Sequence, residues 1–345
     1  MLIYIYRFLS NLLFFPVLFF FLVRLILSKE TLNSIFQKFF LSRNPRPKGD
    51  LVWINGVSIG EAKTGLIIAE EIKKSNPNVI ILFSTSTLTS YKLLSKMKND
   101  YINIFAPLDI SFVANSFLNY WKPKSVIFIE SEIWPSIFSL IKKKSMRLNI
   151  FNARISKKSF NNWKRLIVFS NSIFSLIDSC FVQDKESMKR FKLLGVKKIN
   201  RIENLKFLSP KLEVDNDIFN KFKKQLRLKR VVILFSSHQN EEKMLLESFK
   251  VLSKKIKNLF FIIVPRHINR LKKITDEFNN EKVSYLLKTD LNLKIKNENF
   301  LIVGTFGELG SFFKLFQIAL VGGSFSKNGG HNPIEAAVAN CVILT

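Results

Sequence analysis

The sequence predicts an α/β protein built of two doubly wound domains, each a parallel sheet wrapped by helices, with a cleft between them. From about residue 50 onward, short β-rich runs alternate with amphipathic segments of helix length, the rhythm of parallel sheets. One polar stretch, "NLKFLSPKLEVDNDI", interrupts that alternation and divides it into two series. A length of 345 residues supplies about two domains of roughly 150 residues each.

The first thirty residues stand outside this pattern. "RFLSNLLFFPVLFFFLVR" places sixteen mostly apolar residues between Arg7 and Arg24. As one helix they would span about 24 Å, a little short of a roughly 30 Å hydrocarbon core, a gap that snorkelling arginines can close. No small-residue cleavage site follows, so residues 1–28 are expected to be an uncleaved membrane anchor. Arg24, Lys29, Lys38, Arg43, Arg46 and Lys48 follow the run while only Arg7 precedes it, which puts the main body on the cytoplasmic side. Residues 29–50, ending in "SRNPRPKGD", read as a basic, proline-containing linker.

Residues 51–204 form the first α/β domain, with strands expected at "LVWIN", "VIILFS", "INIF", "SVIFIE", "RLNIFN" and "DSCFVQ". Residues 205–214 are the interdomain linker. Residues 215–345 form the second domain, with strands at "VVILFSS", "LFFIIV", "FLIVG", "IALVGGS" and "CVILT". Asp215 of "DND" precedes an amphipathic segment and is expected to cap a helix rather than bind a metal.

Composition narrows the function. Lys and Arg exceed Asp and Glu by 54 to 26, a net charge of +28 that suits anionic lipids or phosphorylated substrates. The basic residues are spread along the chain, Lys and Asn are heavily used throughout, and no nucleic-acid motif is present, so nucleic acid is not an expected partner. Two distant cysteines and three separated histidines offer neither a disulfide scaffold nor a metal-binding spacing, and no catalytic metal is expected.

Chemically unusual residues gather just after the predicted strands, where ligands collect in doubly wound sheets. "NGVSIGE" puts Glu61 in the first turn of a helix, a place the helix dipole favours for any carboxylate. "IESEIWPS" puts Glu130 and Glu132 on one side of an extended segment, with Trp134-Pro135 as packing and helix initiation. In "FNARIS", Asn152 and Arg154 are suited to fixing a loop by hydrogen bonds.

In the second series the same position is held by "SSHQNEE" (Ser236, Ser237, His238), "VPRH" (Pro265, Arg266, His267), "GTFGELG" (Phe306, Gly307, Glu308) and "GGHNPIE" (Asn332, Pro333, Ile334, Glu335). Four such loops in succession point to a nucleotide pocket. Helix N-termini and Arg266 suit phosphate, and Glu335 suits ribose hydroxyls. The absence of a Walker lysine loop and of G-x-G-x-x-G after a first strand argues against a kinase or a dehydrogenase.

Taken together with "APLD" and "NLKF", these motifs resemble, in order and spacing, the 3-deoxy-D-manno-octulosonic acid (Kdo) transferases of lipopolysaccharide synthesis. The resemblance runs over the whole chain. It implies a GT-B type fold of two Rossmann-like domains, CMP-Kdo as donor substrate with no cofactor, a lipid A precursor as acceptor, and attachment to anionic lipids at the cytoplasmic face of the inner membrane. Carried over by motif, Glu61 looks like the general base for the acceptor hydroxyl, and Glu130 and Lys206 match transition-state stabilisers. Pro265, Arg266, Phe306, Gly307, Glu308 and Asn332 to Glu335 match CMP-binding segments. Attack is expected to be direct and inverting.

Two departures stand out. The family's early glycine loop reads "TLTS" here, with Ser90 in the glycine's place. Family members also continue past the strand "CVILT" with further helices, so the C-terminal part of the second domain is expected to be missing. An inactive, lipid-binding remnant and a GT-B enzyme of another nucleotide sugar are the competing readings.

Overall fold

A computed structural model describes residues 2–96, 100–205, 212–289, 294–305, 307–325 and 333–345. Lys206, Phe306 and Asn332 lie outside the described residues. The chain separates into two compact units, residues 1–209 and 210–345.

The first unit runs α1 (Leu2–Leu12), α2 (Phe14–Ile26), α3 (Leu32–Lys38), β1 (Leu51–Asn55), α4 (Ile59–Ser75), β2 (Ile80–Thr85), α5 (Leu88–Lys96), β3 (Ile102–Phe105), α6 (Ser111–Trp121), β4 (Ser125–Ile129), α7 (Pro135–Lys143), β5 (Arg147–Ala153), α8 (Lys157–Arg165), α9 (Ile167–Phe174), β6 (Ser179–Val182), α10 (Lys185–Leu193) and β7 (Ile199–Arg201). Its strands pair in parallel in the order β3-β2-β1-β4-β5-β6-β7. Both faces are covered, which is why the strands read as nearly continuous apolar runs. Trp53, Phe117, Trp121, Phe128 and Phe138 fill one face, and Ile54, Leu66, Phe83, Ile127 and Ile129 the other. Polar side chains inside this core bond to one another: Trp53 Nε1 donates to Ser84 Oγ at 2.7 Å, and Ser84 donates to Asn55 Oδ1 at 2.7 Å.

Gly65 lets α4 settle onto the sheet, because a Cβ there would come within 2.6 Å of the Phe83 ring. Gly65→Ala is therefore expected to overpack the core and to lower stability by about 1–3 kcal/mol. Urea unfolding of the variant, with an unchanged midpoint, would contradict this.

Order β3-β2-β1-β4 means the chain leaves β1 toward one edge and returns to the other side of β1 at β4. The crevice at the carboxyl ends of β1 and β4 is the topological switch point, the ordinary ligand site of such sheets.

The N-terminal apolar run is not one helix. It breaks at Leu13 into α1 and α2, bent by 48°. Pro16 supplies the reason, since it donates no hydrogen bond to the carbonyl of Leu12 and its ring crowds that turn. Among the described residues no single helix is long and apolar enough to cross a membrane, whereas the bent pair has the length and composition together. Nor does the run stand apart from the body, because α1 packs against α6, α7 and α9. Tyr4, Phe8, Leu12, Phe15, Phe19 and Ile26 remain exposed on the pair.

The second unit runs α11 (Asn216–Leu226), β8 (Arg230–Ser237), α12 (Glu241–Leu252), β9 (Leu259–Pro265), a short 3-10 turn (Ile268–Arg270), α13 (Leu271–Asn280), β10 (Tyr285–Lys288), β11 (Phe300–Val303), α14 (Leu309–Leu315), β12 (Ile318–Val321), α15 (Ile334–Val338) and β13 (Val342–Leu344). The sheet is again parallel, in the order β10-β11-β9-β8-β12-β13, with its switch point between β8 and β12. Phe235, Phe260, Leu301 and Phe312 pack one face, and Phe261, Ile263, Phe278 and Phe300 the other. Asp215 caps α11, accepting from the amides of Asp217 and Ile218, as its place in the sequence predicts.

Candidate functional site

The switch point of the first sheet carries a cluster of three carboxylates. Ser58 is the N-cap of α4, and its hydroxyl accepts from Glu61 N at 3.3 Å. Glu61 reaches back, its Oε2 accepting from Val57 N at 2.8 Å and its Oε1 accepting from Ser58 Oγ at 3.0 Å. The side chain is thus fixed at a helix N-terminus, and a carboxylate has lone pairs left after two such bonds. Gly56 makes the tight turn possible, since a Cβ there would lie 2.9 Å from the Glu61 backbone.

Glu130 and Glu132 follow β4 across the crevice. Glu130 adopts φ +60°, a left-handed conformation that costs a non-glycine residue about 1 kcal/mol or more and is concentrated at functional sites. Glu132 Oε2 accepts from Trp134 Nε1 at 2.7 Å, while Pro135 opens α7. Burial raises the Glu61 carboxyl above the ordinary range. The amide of Val57 and the hydroxyl of Ser58 oppose that shift, and the charges of Glu132 and Glu130 add to it. Burial likewise raises Glu132, against its bond to Trp134 and with help from Glu130. The fold therefore brings together Glu61, in the first turn of the helix after β1, and Glu130, just after β4, 69 positions apart in sequence, and adds Glu132 to them.

The loops around the cluster are tied down. Asn152, buried at φ +55°, accepts from Leu205 N through Oδ1 at 3.0 Å and from Gln183 Nε2 through its carbonyl at 2.6 Å. Ser131 Oγ donates to the carbonyl of Arg154. Ser90 is buried and meets the Thr87 hydroxyl at 2.7 Å, so the hydroxyl is accommodated by the first turn of α5.

In the second unit, Pro265 ends β9 and Arg266 lies exposed beyond it; Gly307 follows β11 at φ +88°, and Pro333, Ile334 and Glu335 open α15 after β12. Parallel pairing places all of these loops at the carboxyl edge of the sheet. Glu308 is already engaged, its Oε1 accepting from Lys288 Nζ at 2.7 Å, with Lys288 1% exposed.

At the start of α12 the expected anion site is filled by the chain itself. Glu241 Oε2 accepts from His238 N at 2.8 Å, and its Oε1 accepts from Gly323 N at 2.7 Å, across the switch point. Ser237 turns inward and donates to Glu242 at 2.6 Å. Glu242, fully buried, is gripped by Arg270 through two bonds of 3.0 Å. Gly322 allows the β12 loop to meet β8, since a Cβ would fall 2.2 Å from the Ser236 carbonyl oxygen. Glu241, Glu242, Arg270 and Lys288 were not marked as site residues by sequence pattern; only the run of two glutamates in a first helical turn hinted at them.

Residues 33–209 match the family model described as 3-deoxy-D-manno-octulosonic-acid transferase (kdotransferase). Over 345 residues the chain is 34% identical to a 3-deoxy-D-manno-octulosonic acid transferase of Rickettsia bellii, covering 99% of this chain and 81% of that protein. The chain belongs to the 3-deoxy-D-manno-octulosonic-acid transferase family. The Rickettsia conorii transferase is 36% identical over 296 residues, and there the match spans 85% of this chain and 63% of the relative. Among solved structures, Anabaena HepE in complex with UDP and glucose superposes with a TM-score of 0.51 at 12% identity, covering 86% of this chain and 80% of HepE. That likeness concerns the fold alone, a GT-B-type α/β fold of parallel, Rossmann-like sheets. Membership of the Kdo transferase family makes the chain a glycosyltransferase.

Proposed function

We propose that the protein transfers Kdo from CMP-Kdo to a lipid A precursor at the cytoplasmic face of the inner membrane, with inversion at the sugar. The observation that carries this reading is the Glu61 carboxylate. It is held by Val57 and Ser58 at the switch point and raised by burial and by Glu132 and Glu130. A base of raised pKa accepts a proton more readily than an ordinary carboxylate.

In the reaction an acceptor hydroxyl oxygen bonds to the anomeric carbon of Kdo while its proton passes to Glu61. The bond from that carbon to the CMP phosphate oxygen breaks, and its electron pair leaves with CMP. Glu130 favours the positive charge developing on the sugar, and Lys206 offsets the charge growing on the departing phosphate. Pro265, Arg266, Phe306, Gly307, Glu308 and Asn332 to Glu335 hold CMP, a role supported for Pro265, Arg266, Gly307, Glu308, Pro333, Ile334 and Glu335 by their place at carboxyl strand ends. No cofactor or metal is invoked.

The bent α1–α2 pair supports attachment to the membrane. Its exposed Phe8, Leu12, Phe15, Phe19 and Ile26 suit insertion, and the docking of α1 on the body favours lying in one leaflet over a single span. Lys157, Lys158, Lys164 and Arg165 on α8 supply charge for anionic lipids.

The test is a transfer assay on the full chain in detergent with CMP-Kdo and a lipid A precursor, following lipid mass and CMP release. A Kdo-sized mass gain matched by CMP supports the reading, and CMP-dependent lipid binding without product removes it. A finer check concerns pH. Because Glu132 raises Glu61, Glu132→Gln is expected to lower the Glu61 pKa and shift the acid limb of kcat/KM to lower pH. An unshifted limb would mean that Glu61 is not the titrating base.

A further inference from the structure

Helices α6 and α7 begin without side-chain caps of their own, at Ile110 and Trp134. A helix start leaves amide donors that need partners, and here they come from far away in the sequence. Asp109, at the end of "APLD", caps α7: its Oδ1 accepts from Ile137 N at 2.8 Å and its Oδ2 from Ser136 N at 3.2 Å. Oδ2 also accepts from the Tyr6 hydroxyl of α1 at 3.0 Å. Helix α1 caps α6 in turn, with Ser10 Oγ accepting from Ser111 N and Asn11 Oδ1 from Phe112 N, both at 3.1 Å. Arg7 Nε donates to Ser111 Oγ at 2.8 Å.

The first turn of α7 is the direct continuation of the loop carrying Glu130 and Glu132. Trp134 links the two, bonded to Glu132 and packed edge-on against Phe128 at 5.4 Å. A shift of that turn therefore moves the carboxylates facing Glu61. We infer that Asp109 is a positioning residue for the transfer reaction, fixing the Glu130–Trp134 loop through the first turn of α7 and tying it to the N-terminal helix. This rests on the reading of the Glu61 crevice as the reacting centre. It makes α1 part of the catalytic scaffold as well as a lipid contact.

The experiment uses the full chain in detergent micelles and compares Asp109→Ala, Asp109→Asn and Tyr6→Phe. Turnover and amide hydrogen exchange over residues 128–138 are both measured. Asp109→Ala is expected to lower kcat roughly 10- to 100-fold, the size of effect that small misplacements of reacting groups produce. KM for CMP-Kdo stays unchanged, and exchange at Ser136 and Ile137 accelerates. Asp109→Asn, whose amide oxygen still accepts, recovers part of the loss. Tyr6→Phe, which deletes a single hydroxyl, lowers kcat by roughly three- to tenfold. Unchanged kcat in Asp109→Ala well below its melting temperature overturns the inference; should that variant not fold, unchanged kcat and exchange in Tyr6→Phe do so. Should the unmutated chain transfer no Kdo, the functional reading fails by itself. Exchange then decides the positioning role, and unaltered protection at Ser136 and Ile137 in Asp109→Ala and Tyr6→Phe rejects it.

Discussion

Glu61→Gln lowers kcat for Kdo transfer by about 10²–10⁴-fold while CMP binding stays near that of the unmutated chain. The substitution is chosen for what it keeps. Gln at the third helical position still completes the reciprocal cap with Ser58, so its amide oxygen can accept from Val57 N while the base is gone. Glu61→Ala, by contrast, also loses the side-chain bonds to Val57 N and Ser58 Oγ, while Ser58 Oγ still accepts from the amide of residue 61. Turnover and CMP titration on both variants separate chemistry from folding. Unreduced turnover in Glu61→Gln would remove the residue from its assigned role.

Arg270→Ala is the second large effect expected, and it acts on stability. Glu242 is fully buried; among the described residues Ser237 donates to one of its oxygens and Arg270 grips both. Removing the guanidinium leaves a carboxylate buried without its counter-charge, a loss of about 3–5 kcal/mol. Arg270 also donates to the carbonyl of Ser237, which takes the amide of Arg266 as well, so the variant removes one of the two bonds accepted there, where the ends of β8 and β9 meet. Hydrogen exchange over residues 230–237 and 259–265 in urea reads the loss unit by unit. Replacing the pair together, as Glu242→Leu with Arg270→Met, should restore much of it. Wild-type protection in Arg270→Ala would show that the pair carries little.

Much of this was legible in the sequence because parallel strands buried on both faces announce themselves as unbroken apolar runs, and "LVWIN" or "LFFIIV" has few other readings. The edge strands β7 and β10 were not found, and the reason is physical. An edge strand is half exposed, so Ile199–Arg201 and Tyr285–Lys288 mix polar and apolar residues as loops do. The loss of β10 hid the Lys288–Glu308 pair, which forms only once that strand is placed. Glu61 and Glu130 could be suspected from standing at strand ends, but their proximity depends on the order β2-β1-β4, which no local pattern states. The left-handed Glu130 was equally invisible, since nothing in its residue type asks for φ +60°. The single long N-terminal helix failed on Pro16, whose effect at its fourth preceding residue outweighed the apolar composition around it.

The caps that α1 places on α6, and that Asp109 shares between α1 and α7, span 101 to 103 residues of sequence where they involve α1. Such contacts close late, because a long loop must be drawn together before any reward is returned. During synthesis α1 and α2 leave the ribosome before α6 and α7, so their apolar surface is available to a bilayer well before Ser111 or Ile137 exists. On the proposed attachment to a membrane, the polar side of α1, with Tyr6, Ser10 and Asn11, waits at the lipid surface for its partners. The first unit is thus expected to finish folding against the membrane, with the early-inserted helix serving as the template on which the later helices register.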